Sequence, residues 1–296
     1  MRNVSSMSSK INDGRIIKRQ KNNEYLLVNG LWVRNFANNV APRDLNNLTT
    51  RTDHRTFIDN ELALRTMNIP VIGSESLIHR DCIIVSDGHR FDEMKHLLSD
   101  LPEKVCVIGV NRSLAKWQTT DEKLLRRKMN YYVVNNPYEE CMRFMPQHGY
   151  RPKLIVSSRT NPSFVKRYGG IVYKYPPVGD DTFTGEVAKY YQIDDYRNPI
   201  CAAVGLAYRF GVRRLLLFCC DDVFATERPA AEQLSNGLWM YPQHKISHDL
   251  ISGNMYWLTQ QQDIKVTVGD CSEGPIYDNV PYIPASNFLR FFNEQT

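Results

Sequence analysis

No stretch of the 296 residues approaches the roughly 18 uninterrupted apolar residues a membrane helix needs, so no membrane span is expected. The first residues, Met1-Arg-Asn-Val-Ser-Ser, lack a charged segment leading into an apolar signal core, and the expected location is cytoplasmic. Cysteine is sparse: seven residues (Cys82, Cys106, Cys141, Cys201, Cys219, Cys220, Cys271), an odd number with no C-x-x-C pair. That pattern favours neither a disulfide frame nor a zinc site, and most lie in apolar runs, as reduced core thiols do. Internal repeats and low-complexity tracts are also absent.

What is present suits a globular protein. Hydrophobic residues make up 42% and aromatics 11%, enough for one large α/β domain with an appendage. The net charge of +5 is uneven, because residues 1 to 70 hold eleven Lys/Arg against six Asp/Glu and the rest is balanced. Arg15, Lys18, Arg19 and Lys21 cluster there; they suit either a solvated arm or contact with a polyanion such as nucleic acid or an anionic glycan. Residues 1–75 therefore read as a basic N-terminal extension. Within it, Glu24 to Val33 reads as two short strands joined near Asn29-Gly30, a strong turn dipeptide.

Residues 76–296 read as the main domain. β-branched apolar runs of strand length alternate with helix-length segments: Cys82–Val85, Val105–Val110, Tyr131–Val134, Leu154–Val156, Leu215–Phe218 and Ile264–Val268. Continuous apolar strands indicate a sheet covered on both faces. Phe91 to Leu101, Tyr138 to Phe144, Ile200 to Phe210 and Leu250 to Gln261 fit crossover helices. The expected fold is α/β: a doubly wound, mostly parallel, Rossmann-like sheet with an N-terminal extension, whose sites gather at the carboxyl ends of its strands.

Those ends select the residues to weigh. Ser86-Asp87-Gly88-His89-Arg90 leaves the first core strand, and its glycine suits either close approach of the backbone to a ligand or an ordinary turn. Asn111 and Asn136 end the next two strands; each amide can read a base, ribose or phosphate, or simply cap a turn. Asn198-Pro199 suits a helix N-cap, and Arg197 beside it makes an anion site. Asp221-Asp222 at a strand end could hold magnesium or a sugar hydroxyl, or cap the next turn. Finally, Tyr241-Pro-Gln-His244, followed by His248 and Asp249, sets a phenol, imidazoles and a carboxylate beside a helix start, a plausible acid/base site.

The order of these loops over residues 80 to 283 resembles the bacterial sialyltransferases built on a single Rossmann-like domain, and the related motility accessory factor and 6-hydroxymethylpterin diphosphokinase (MptE-like) proteins. Ser86-Asp87-Gly88-His89-Arg90 looks like that family's Gly-Asn-Gly-Pro-Ser loop, Val110-Asn111-Arg112 like its Cys-Asn-Gln, and Asn135-Asn136-Pro137 like its Tyr-Asn-Pro. Tyr241, His244 and Asp249 reproduce its Tyr-x-x-His with an Asp five residues on. The resemblance implies that His244 is the general base toward the acceptor hydroxyl and that Tyr241 hydrogen-bonds the leaving phosphate. It assigns the nucleotide to Asn111 and Asn136; the strand-end residues Asp87, Gly88, Arg197, Asn198 and Asp221 complete the expected donor site. Family members often form oligomers, so a homo-oligomer is among the implied partners.

The chain departs from the pattern where Asp87 replaces Asn, His89-Arg90 replace Pro-Ser, and Asn198-Pro199 replace the small residues before the fourth helix. A carboxylate at position 87 would repel a donor phosphate unless a metal or Arg90 intervenes. The leading expectation is an inverting glycosyltransferase that uses a nucleotide sugar, with no metal or other cofactor, and an anionic glycan or modified DNA as acceptor. One alternative is an ATP- and magnesium-dependent diphosphokinase of the pterin type, with Asp87, Asp221 and Asp222 around the metal. The other is a catalytically silent nucleotide-binding or scaffold protein.

Overall fold

The computed structural model describes residues 8–12, 15–20, 23–28, 31–34, 51–72, 81–118, 128–146, 149–177, 193, 195, 198–261, 265–272, 277 and 279–293. The chain divides into two compact units, Met1–Thr52 and Asp53–Thr296. In the first, β1 (Ser8–Asn12), β2 (Arg15–Gln20), β3 (Asn23–Val28) and β4 (Leu31–Arg34) form an antiparallel sheet in chain order. Val28 lies opposite Leu31, so residues 29 and 30, outside the described set, connect β3 to β4.

The second unit is an α/β fold with a seven-stranded sheet, parallel throughout. Its strands are β5 (Asp81–Val85), β6 (Cys106–Val110), β7 (Tyr131–Val134), β8 (Lys153–Ser157), β9 (Val172–Tyr175), β10 (Arg214–Phe218) and β13 (Thr267–Cys271), in the order β13-β10-β5-β6-β7-β8-β9, while β11 (Glu232–Gln233) and β12 (Trp239–Met240) pair separately as an antiparallel ribbon. From β5 the chain moves one way as far as β9, then returns to add β10 on the other side of β5. The order therefore reverses between β5 and β10, the place where such sheets leave a crevice outside their carboxyl ends.

Alternation along the strands explains why they are apolar throughout. Cys82 and Ile84 of β5 face a core built with α5 (Pro199–Arg209) and α6 (Pro242–Thr259). Ile83 and Val85 face another, supplied by α1 (Arg51–Thr66), α2 (Phe91–Met94), α3 (Ser113–Gln118), α4 (Pro162–Tyr168) and α7 (Phe288–Asn293). All seven cysteines are buried and unbridged, and burial pushes the Cys141 and Cys271 thiols up to about 12.

Several boundaries differ from expectation. The last strand runs Thr267–Cys271 and so extends past Val268, while Ile264 lies outside the described residues; within it, Gly269 lies where a Cβ would come within 2.8 Å of Ile283 and 3.0 Å of Phe291. A residue that weakens a strand signal is thus required inside one. The segment after Tyr138 is a 3₁₀ helix, Glu139–Phe144, closed in by Pro137 and Pro146. Only one α-helical turn follows Arg90 before 3₁₀ geometry takes over at Lys95–Asp100. Helix α6 begins at Pro242 rather than Leu250, since proline is favoured at a first helical position. Tyr241 is consequently its N-cap residue, and His244, His248 and Asp249 lie on it.

At the amino edge, Arg214 and Asp81 face each other in register on β10 and β5, and their side chains form a forked pair at 2.7 and 2.8 Å. The carboxylate is 4% exposed and the Arg214 side chain 14%, so removing the charge of Asp81 leaves a largely desolvated guanidinium without its ionic partner. Asp81→Asn is expected to lower stability by about 3 kcal/mol in a urea melt.

Candidate active site at the strand-order reversal

The loops after β5 and β10 meet main chain to main chain. Gly88 N donates to Cys219 O at 2.9 Å, and a Cβ at position 88 would lie 2.5 Å from both Cys219 O and Asp221 Oδ1. Only glycine fits. Three non-glycine residues after β6 and β10 hold left-handed backbone: Asn111 (φ 54), Cys219 (φ 52) and Asp222 (φ 49). Such conformations cost of order 1 kcal/mol each and concentrate at functional sites.

Charge is compensated locally. Arg112 Nε donates to Asp87 Oδ2 at 2.9 Å, and Lys116 Nζ to Asp87 O at 3.2 Å. Arg112, and not Arg90, therefore offsets the carboxylate at position 87; Arg90 is paired with Glu93 at 2.7 Å. Asp221 is turned inward: its side chain has no exposed surface, and Oδ1 accepts from His89 N and Val223 N, each at 3.4 Å. Among the described residues no group of three His, Cys, Asp or Glu side chains converges as metal ligands would.

The asparagines differ in use. Asn136 Oδ1 accepts from Tyr138 N at 2.8 Å, closing a local turn, and Asn198 Oδ1 accepts from Ile200 N and Cys201 N as the N-cap of α5. The carbonyl of Asn111 accepts the Tyr132 hydroxyl at 2.6 Å, while its half-buried side-chain amide has no hydrogen bond to another described residue. Arg197 lies outside the described residues.

Helix α6 brings Tyr241 and His244 to the same place. Their rings meet edge to face at 5.3 Å, and Phe224 packs on Tyr241, also at 5.3 Å. His244 Nδ1 lies 2.9 Å from the carbonyl oxygen of Asp222. A carbonyl only accepts, so Nδ1 is the donor, and in the neutral form of the ring the lone pair is then on Nε2. The Asp222 carboxyl is raised to about 6, first by desolvation, against the lowering influence of His244. Asp87 and Asp221 raise it further and Arg112 lowers it, so one electrostatic neighbourhood joins the loops after β5, β6 and β10 to the start of α6. His248 stacks on Tyr277 at 4.1 Å, and Asp249 is exposed.

Sequence reasoning did not find Arg112 as the partner of Asp87, the carbonyl of Asp222, or Asp270. Asp270 is buried near the end of β13, hydrogen-bonded to Ser272, which in turn accepts from Cys220 N. Burial raises its carboxyl to about 7, aided by the nearby Asp221. Because the folded-state value lies above the ordinary 3.8, the folded protein carries a desolvation cost that is absent near pH 4 and complete above pH 7. Asp270→Asn is expected to raise the melting temperature at pH 8, with about 4 kcal/mol as the ceiling, and to change little near pH 4. Thermal melts across that range check it.

No protein-family model matches the chain, and no curated protein matches it in sequence. Among solved structures the chain is similar to a MAf glycosyltransferase from Magnetospirillum magneticum AMB-1, with a TM-score of 0.59 and 14% identity, covering 79% of this chain. The chain spans 38% of that protein's length, and at this identity the likeness is one of fold.

Proposed function

We propose that the chain is an inverting glycosyltransferase that moves a sugar from a nucleotide-sugar donor to a hydroxyl acceptor. The observation that carries this reading is the bond from His244 Nδ1 to the Asp222 carbonyl, which leaves Nε2 as a proton acceptor beside Tyr241 and the reversal crevice. A protein of similar fold that is a glycosyltransferase supports the reaction class.

In the proposed reaction the donor lies over the loops after β5, β6 and β10. Gly88 allows close approach, Asn111 offers its amide, and Arg112 keeps Asp87 from repelling the donor phosphate. Asn136 and Asn198 shape the flanking turn and helix start rather than lending their carbonyl oxygens. His244 Nε2 takes the acceptor proton as the hydroxyl attacks the anomeric carbon from the side opposite the nucleotide, which inverts that centre. Tyr241 donates to the departing phosphate oxygen. The basic residues of the first 70 would bind an anionic acceptor, a glycan or modified nucleic acid.

Nucleotide release from CMP-, UDP-, GDP- and ADP-sugars and from ATP, each with magnesium and with EDTA, tests this directly. Metal-independent release from one sugar donor is expected; AMP release from ATP only with magnesium would overturn the reading in favour of a diphosphokinase. His244→Ala should cut turnover about a hundredfold or more while donor affinity holds. Asp222 is charged above about pH 6, where it steadies positive charge gained by His244. Asp222→Asn should therefore lower kcat several-fold at pH 8 and have little effect at pH 5, where the native carboxyl is already protonated.

A further inference from the structure

Two of the buried polar atoms without a hydrogen-bond partner among the described residues face each other in this crevice: His89 Nδ1 and Asp221 Oδ2, 3.4 Å apart. The Asp221 side chain is fully buried, and the His89 ring keeps 11% of its surface open. A buried carboxylate oxygen left without a donor is costly, and the imidazole is the group positioned to supply one. At 3.4 Å the pair is at ion-pair separation, and active-site contacts of this kind tighten when a substrate arrives.

The two imidazoles of the crevice thus have opposite partners. His244 donates Nδ1–H to a neutral carbonyl, which fixes the tautomer whose acceptor is Nε2. His89 instead faces a carboxylate across Nδ1, and with both ring nitrogens protonated its Nε2–H is a donor. Asp87, Asp221, Asp222 and Arg112 share one electrostatic neighbourhood about the site.

We infer that His89, seated on Asp221, is a further catalytic residue on the donor side, whose Nε2–H hydrogen-bonds the phosphate oxygen that leaves with the nucleotide. The inference rests on the glycosyltransferase reading. In the balanced step, the acceptor proton passes to His244 Nε2 and the acceptor oxygen bonds the anomeric carbon. The bond from that carbon to phosphate breaks, and the phosphate keeps the electron pair with His89 and Tyr241 hydrogen-bonded to it. Asp221 is a positioning residue that acts through His89.

The test is binding of CMP, UDP, GDP and ADP, each against its matching nucleoside, to the full chain by calorimetry. In the native protein one nucleotide should bind at least about tenfold tighter than its nucleoside. His89→Gln should reduce that ratio about tenfold with nucleoside affinity unchanged. His89→Asn provides the same reading if the glutamine variant does not fold, and Asp221→Asn should reduce the ratio by a smaller factor. A purely structural His89 would lower the melting temperature and leave the ratio alone, and an unchanged ratio in a folded His89 variant overturns this inference by itself. If the native protein binds none of the four nucleotides, the glycosyltransferase reading falls and takes this inference with it.

Discussion

The contact on which the site depends is the meeting of the β5 and β10 loops, where Gly88 lies against Cys219 O and Asp221 Oδ1 with no room for a Cβ. Strand order brings these loops together, because the sheet reverses between their strands. Once they touch, Asp221 has nowhere to turn but inward, and the left-handed residues Cys219 and Asp222 carry the chain out of the crowded junction. Asp222 then offers its carbonyl to α6. The opposite edge answers a different need: the Arg214–Asp81 fork ties the same two strands where no crevice is wanted. One strand pair is thus tied by side chains at its amino end and by main chain at its carboxyl end.

Much of this was legible because burial on both faces writes itself into a strand. Val107 and Ile108 serve opposite cores, so the run containing them is apolar without interruption and reads as a strand directly. The strand ending in Cys271 was misread where Gly269 answers packing by Ile283 and Phe291, a demand made by distant residues that leaves no local trace. The site shows the same division. Tyr241 and His244 stood out by spacing, and Asn198-Pro199 read correctly as a helix start. Which asparagine amide would remain unused depended on turn geometry, and Asn111 and Asn136 look alike in sequence while differing in use. The pairing of Arg112 with Asp87 joins residues from adjacent strand ends and could be seen only once β5 and β6 were aligned.

Polar groups in this interior are held against the pull of water. Asp222 and Asp270 both have carboxyls raised by desolvation, and each is near Asp221, so the acids load one another electrostatically. A fold selected for stability alone would favour apolar side chains of similar volume at such positions. Their concentration at the carboxyl edge, and the Arg214–Asp81 fork at the other, separate the part of the sheet that holds the molecule together from the part that bears chemical strain.

The anchoring of His244 on a main-chain carbonyl alters what the site asks of residue 222. The ring orientation comes from a peptide group fixed by a left-handed backbone, so the instruction that aims the imidazole is conformational and any side chain tolerant of that backbone can deliver it. Relatives that share this base could differ at the position holding it and still present the same nitrogen to an acceptor. A comparison of side chains would then see variation where the geometry is constant.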